Sequence, residues 1–97
     1  MARYIVLTNW TEQGIRNVKE SPRRLDTARD KGKGFGVEIK DFYMTMGEHD
    51  MVIVMEAPND ESLAKYILAL GGEGNVRTKT LKAFNESEYR AIIGSLK

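Results

Sequence analysis

Residues 4–8 (Tyr-Ile-Val-Leu-Thr) and 51–55 (Met-Val-Ile-Val-Met) are apolar at odd and even positions alike. Successive side chains of a strand point to opposite sides, so strands of this composition need cover on both faces. That requirement constrains the fold more than any other feature of the chain. Between the two strands, Ile15, Val18, Pro22, Leu25 and Ala28 recur three or four residues apart and predict a helix, with Ser21-Pro22 available as cap and first turn. Gly32, Gly34 and Gly36 are expected to end it. Residues 37–46 (Val-Glu-Ile-Lys-Asp-Phe-Tyr-Met-Thr-Met) read as a further strand, joined to 51–55 as a hairpin through Gly47-Glu48-His49-Asp50.

The second half of the chain repeats the alternation. Pro58 with Asn59 or Asp60 opens a helix carrying Leu63, Ala64, Ile67, Leu68 and Leu70, stopped by Gly71-Gly72. Residues 75–84 form a strand with Val76, Thr78 and Thr80 alternating against Arg77, Lys79 and Leu81. Asn85-Glu86-Ser87-Glu88 resembles a capping box and starts a last helix with Tyr89, Ile92, Ile93 and Leu96. The predicted class is therefore α+β, a ferredoxin-like β-α-β-β-α-β unit with a C-terminal helix. Its two crossover helices lie on one face of the sheet. The other face would be left apolar and wet, beyond what a monomer ordinarily exposes. The last helix is too short to cover all of it, so a second subunit packed sheet against sheet is expected, giving a dimeric α+β barrel. The alternative is a monomer whose last helix folds over the sheet.

Composition narrows the partners. Ninety-seven residues, without linker or repeat, make a single domain over 1–97, too small to bury much surface alone. Fifteen Lys and Arg against fourteen Asp and Glu leave a net charge of +1, so no nucleic-acid partner is expected. The absence of Cys excludes disulfides, thiolate zinc sites, iron–sulfur clusters and a Cys nucleophile, and a lone His excludes a multi-histidine metal site within the chain. No metal or cofactor is expected. The apolar run at the start is too short for a signal sequence or membrane span, so no membrane partner and a cytoplasmic location are expected. The remaining partners are a second copy of the chain, as a homodimer or multiple of dimers, and a small apolar or anionic ligand.

The opening Tyr4-Ile-Val-Leu-Thr-Asn-Trp-Thr, the segment Thr11-Glu-Gln-Gly14-Ile-Arg-Asn-Val-Lys19, the turn Met46-Gly47-Glu48-His49-Asp50 and the stretch Gly74-Asn75-Val76-Arg77-Thr78-Lys79-Thr80 together resemble the GYD-domain family. The resemblance spans nearly the whole chain and implies a dimeric α+β barrel without an assigned activity. The family's usual Tyr before the turn Asp is replaced here by His49. Barrels of this kind include cofactor-independent monooxygenases and isomerases, and haem-using proteins. The resemblance thus implies an alternative, a small enzyme with His49, Tyr43, Trp10, Asn9 and Arg77 at its site.

From the residues themselves, His49-Asp50 is the most chemically capable pair, because imidazoles titrate in the range that acid–base catalysis uses and a carboxylate can orient them. Adjacent strand residues point apart, however, and a plain turn in which Asp50 bonds backbone amides is the competing reading. With Tyr43, these are the catalytic candidates. Asn9, Trp10 and Arg77 are the ligand-binding candidates: Trp10 would border a pocket with Tyr43, Met44 and Arg77, or would instead close the core or a subunit interface. Arg77 would meet a carboxylate such as Asp50, or a ligand anion. Lys31-Gly32-Lys33-Gly34-Phe35-Gly36 is not a phosphate loop, since its glycines follow a helix and no Ser/Thr follows the lysine. The basic helix containing Arg23, Arg24 and Arg29 reads as a solvated surface. Met44, Met46, Met51 and Met55 cluster around one hairpin, where they fill either an adaptable pocket or an interface.

Overall fold

Alternation along the central strands decides which side of the sheet the helices cover. The computed structural model describes residues 1–97. In chain order it contains β1 (Ala2–Trp10), α1 (Glu12–Arg16), a single 3₁₀ turn (Val18–Glu20), α2 (Ser21–Lys33), β2 (Glu38–Met44), β3 (Met51–Ala57), α3 (Asp60–Gly72), β4 (Val76–Ala83) and α4 (Glu86–Gly94). The four strands form one antiparallel sheet in the order β2-β3-β1-β4. This is the α+β, ferredoxin-like arrangement that the strand and helix order predicts.

Tyr4, Val6 and Thr8 of β1 are buried together with Met51, Ile53, Met55 and Ala57 of β3, all on the side where α2 and α3 pack. Leu63 and Tyr66 complete this core from α3, and Val37 from the approach to β2. Tyr66 is fully buried, and its hydroxyl donates to the Ala28 carbonyl at 2.7 Å, fastening α3 to α2. Gly32 is the contact that lets α2 sit this low. A Cβ there would lie 2.7 Å from the Val37 carbonyl oxygen and against the Tyr66 ring. The residues of opposite parity, Ile5, Leu7, Val52 and Val54, are only half-buried. No helix of the structure is long and apolar enough to cross a membrane.

One expectation changes. The predicted helix of residues 15–28 is broken, because Asn17 ends α1 by bonding the Gln13 carbonyl with both its backbone and its side-chain N–H groups. Proline can sit at a helix start, and α2 then begins at Ser21-Pro22. Its inner stripe is Ser21, Arg24, Leu25, Ala28 and Lys31, with Pro22 exposed on the other side. The glycines end their helices where expected: α2 stops at Lys33 with Gly34 as its C-cap, and α3 stops at Gly72. The last helix starts where predicted, with Asn85 and Glu88 closing a reciprocal capping box. It is exposed along its whole length, including Tyr89, Ile92 and Ile93.

Candidate functional site

The space that α2 leaves above the inner sheet face forms a cavity of about 180 Å³. Its walls are Val6, Trp10, Phe42, Ile53 and Met55 from the sheet and Leu25 and Ala28 from α2. Were all of it closed and unfilled, a void of this size would cost the core about 4 kcal/mol, at roughly 24 cal/mol per Å³.

Eight of the eighteen residues around this space are polar, and three of them bear on what it could hold. Thr8 and Thr78 are direct partners across the β1–β4 ladder and both line the cavity. Thr8 is the one polar residue among the buried core, and its hydroxyl reaches only the Val6 carbonyl at a long 3.5 Å. At the α2 side stands Arg24. Its guanidinium donates to the Asn17 carbonyl at 3.2 Å and the Gly14 carbonyl at 3.1 Å, and it takes part in no ion pair. The neighbouring charges are engaged, Arg23 with Glu20 at 3.1 Å and Glu73 with Lys31 at 3.3 Å. Tyr4 and Tyr66, which burial pushes up to about 12, do not line the cavity. Nor does Asp60, held below the usual carboxylate range first by the Tyr4 hydroxyl and then by Lys82.

The sequence candidates divide by strand parity. Trp10 lines the cavity, whereas Asn9 and Arg77, its two intended companions, lie opposite each other on the outer sheet face. Tyr43 is also on the outer face, beside Val52, and is exposed. Met44 lies exposed at the end of β2. Met51 and Met55 are buried at the cavity, while Met46 is almost fully exposed.

His49 and Asp50 sit in the turn beside the end of β1. The Asp50 carboxylate accepts the Trp10 backbone N–H at 3.0 Å, and the Asn9 amide oxygen lies 3.2 Å from His49 Nδ1 and accepts the Asp50 N–H at 3.3 Å. Asn9 also donates to the Glu48 carbonyl at 3.0 Å. These bonds stitch the turn to β1. Asp50 is thus engaged with a backbone amide and forms no ion pair with Arg77. No three His, Asp or Glu side chains come together in a way that could hold a metal ion.

Arg24, Thr8 and Thr78 were not singled out from the sequence. The parity of Thr8 with Tyr4 and Val6 places it inward, and Arg24 lies one turn before Ala28 on the same helix face. Counting Pro22 in the stripe rotated that face away from Arg24.

A four-stranded antiparallel sheet in the order β2-β3-β1-β4, with its two crossover helices on one side and the opposite face uncovered, defines a ferredoxin-like α+β domain. The profile of the GYD domain matches residues 4–93, and the chain belongs to that family. It is 32% identical over 84 residues to the glutamine synthetase and cystathionine beta-lyase binding protein of Thermus thermophilus, covering 86% of this chain and 88% of that one. The fold also matches the crystal structure of MtbAldR with a TM-score of 0.69 at 14% identity, over 88% of this chain. The chain accounts for about half of that structure, 52% of its length.

Proposed function

We propose that this protein is a binding and assembly protein: two copies pair through their outer sheet faces, and the paired unit docks onto other proteins. The uncovered outer face carries this reading. Ile5, Leu7, Val52 and Val54 form a contiguous apolar strip at the sheet centre, with Leu81 beside it on β4, half exposed. Four strands about 4.8 Å apart and some 25 Å long give a flat footprint of roughly 500 Å². With side-chain relief and the exposed apolar stripe of α4, this approaches the ~800 Å² per partner of a stable interface.

The charges on this face support a particular pairing. Arg77 and Lys79 stand on β4 at one edge, and Glu38 and Asp41 on β2 at the other. A two-fold axis running along the strands lays β4 of each copy over β2 of its partner, with Lys79 about two residues along the strand from the partner's Asp41. An axis across the strands would set like charges together. Docking onto other proteins is supported by the relative from Thermus thermophilus, named as a binding protein for two of them.

Native mass spectrometry tests the pairing. The wild-type chain is expected as a dimer or a multiple of dimers, and Val54→Lys, which places a charge in the apolar strip, as a folded monomer by circular dichroism. Reversing Arg77 and Lys79 to Glu should weaken the dimer, and reversing Glu38 and Asp41 to Lys in the same chain should restore it. A wild-type monomer at micromolar concentration refutes the proposal.

A further inference from the structure

The cavity beneath α2 is independent of the outer face and has a chemistry of its own. We infer that it binds a compact apolar carboxylate, of the size of one ring or a short branched chain, with the carboxylate on Arg24 and the apolar body against Trp10, Phe42 and Met55.

Size fixes the body. An apolar cavity of ~150 Å³ takes a single benzene ring, so 180 Å³ accommodates a ring with one small substituent. Ten of its eighteen lining residues are aromatic or aliphatic, and burial against them favours an apolar body.

Arg24 fixes the charge. A guanidinium has five N–H donors, and the two bonds to Asn17 and Gly14 leave three uncommitted. Those two acceptors are backbone carbonyls, which hold the side chain in place without cancelling its charge. The other charged side chains of the lining, Arg23 and Glu73, already have ionic partners. A planar carboxylate matches the guanidinium fork. The hydroxyls of Thr8 and Thr78, side by side on the strand floor, offer a polar atom of the ligand a donor or acceptor.

Trp10 is the only tryptophan and lies in the cavity wall, so its fluorescence reports occupancy directly. The probes are benzoate, phenylacetate and isovalerate, each titrated beside its neutral amide. At least one acid is expected to give a saturable change and to bind about tenfold more tightly than its amide. Arg24→Gln should abolish that preference and Arg24→Lys should retain part of it. Ala28→Leu, which fills the cavity from α2 and keeps the guanidinium of Arg24, should abolish the response to every probe and serves as the test should Arg24→Gln fail to fold. No saturable response to any of the three acids up to about 10 mM overturns the inference. So does equal binding of acids and amides, or binding by a folded Ala28→Leu chain that matches wild type. Oligomeric state does not enter this readout, so the pairing of subunits and the ligand site stand or fall separately.

Discussion

Gly14→Ala places a methyl group at the tightest backbone contact in the molecule. Its Cβ would lie 2.0 Å from the Asn75 carbonyl oxygen, where contacts under 3.0 Å do not persist, so α1 and the start of β4 must separate by about an ångström. Thr11 makes two hydrogen bonds across the same seam, its N–H to the Asn75 carbonyl at 3.0 Å and its hydroxyl to the Gly74 carbonyl at 2.6 Å, beside those of the flexible Gln13 side chain. Losing the Thr11 pair costs about 2 kcal/mol at ~1 kcal/mol each, and the residual overpacking about 2 kcal/mol more. Alanine's helix preference returns about 1 kcal/mol. The net is a destabilisation of about 3 kcal/mol, or a fall of about 2 M in the urea midpoint for a slope of ~1.5 kcal/mol per M. Gly72→Ala is the matched control. Nothing lies within 4 Å of its Cβ and its φ is ordinary, so the helix preference acts alone and the midpoint should rise, by about 1 kcal/mol in stability. Urea titrations at one fixed protein concentration read both. A Gly14→Ala midpoint equal to wild type, with an unchanged slope, would refute the reasoning, because the chain would then have absorbed the methyl without opening the seam.

Two further outcomes are expected. Tyr4 and Tyr66 are both pushed up to about 12, chiefly by burial, so the folded chain holds their protons more tightly than the unfolded chain, whose phenols titrate near 10. The resulting stability is complete below pH ~10 and is lost as pH rises from about 10 to 12; phenolate difference absorbance alongside circular dichroism should show delayed ionisation coinciding with unfolding, and Tyr66→Phe should remove its share of the pH dependence. Asn85→Ala breaks the capping box of a helix with little else to hold it, at a cost of about 1 kcal/mol to α4. Amide exchange should accelerate across residues 86–94 and stay unchanged in the sheet.

The sheet was legible because its signal has period two. Val6 and Met55 are buried while Leu7 and Val54 lie on the opposite face, as the unbroken apolar runs require. The capping box at Asn85 was legible because each of its bonds lies within four residues. The break at Asn17 was not, since it depends on an amide side chain turning back to Gln13 in place of solvent, a choice that composition does not record. Arg24 was counted with the solvated charges for the same reason: its carbonyl partners exist only once α1 and α2 are set at an angle. The joint placement of Asn9, Trp10 and Arg77 failed on information already present, because residues 9 and 10 of one strand point to opposite faces.

That parity governs what the site can do. Asn9, Tyr43 and Arg77 belong to the face where we place the partner copy, Trp10 to the cavity, and His49 and Asp50 to a turn at the end of β1. Acid–base chemistry at one substrate atom needs its groups within hydrogen-bond reach of that atom, and a sheet one backbone thick stands between Trp10 and the residues of the outer face. In the turn, one Asp50 carboxylate oxygen accepts the Trp10 N–H, and the Asn9 oxygen accepts the Asp50 N–H. What those bonds do achieve is to fix the end of β1 at the point where Trp10 enters the cavity wall. Of the pair that reads as catalytic by type, Asp50 is by position the anchor of the backbone that carries the one indole.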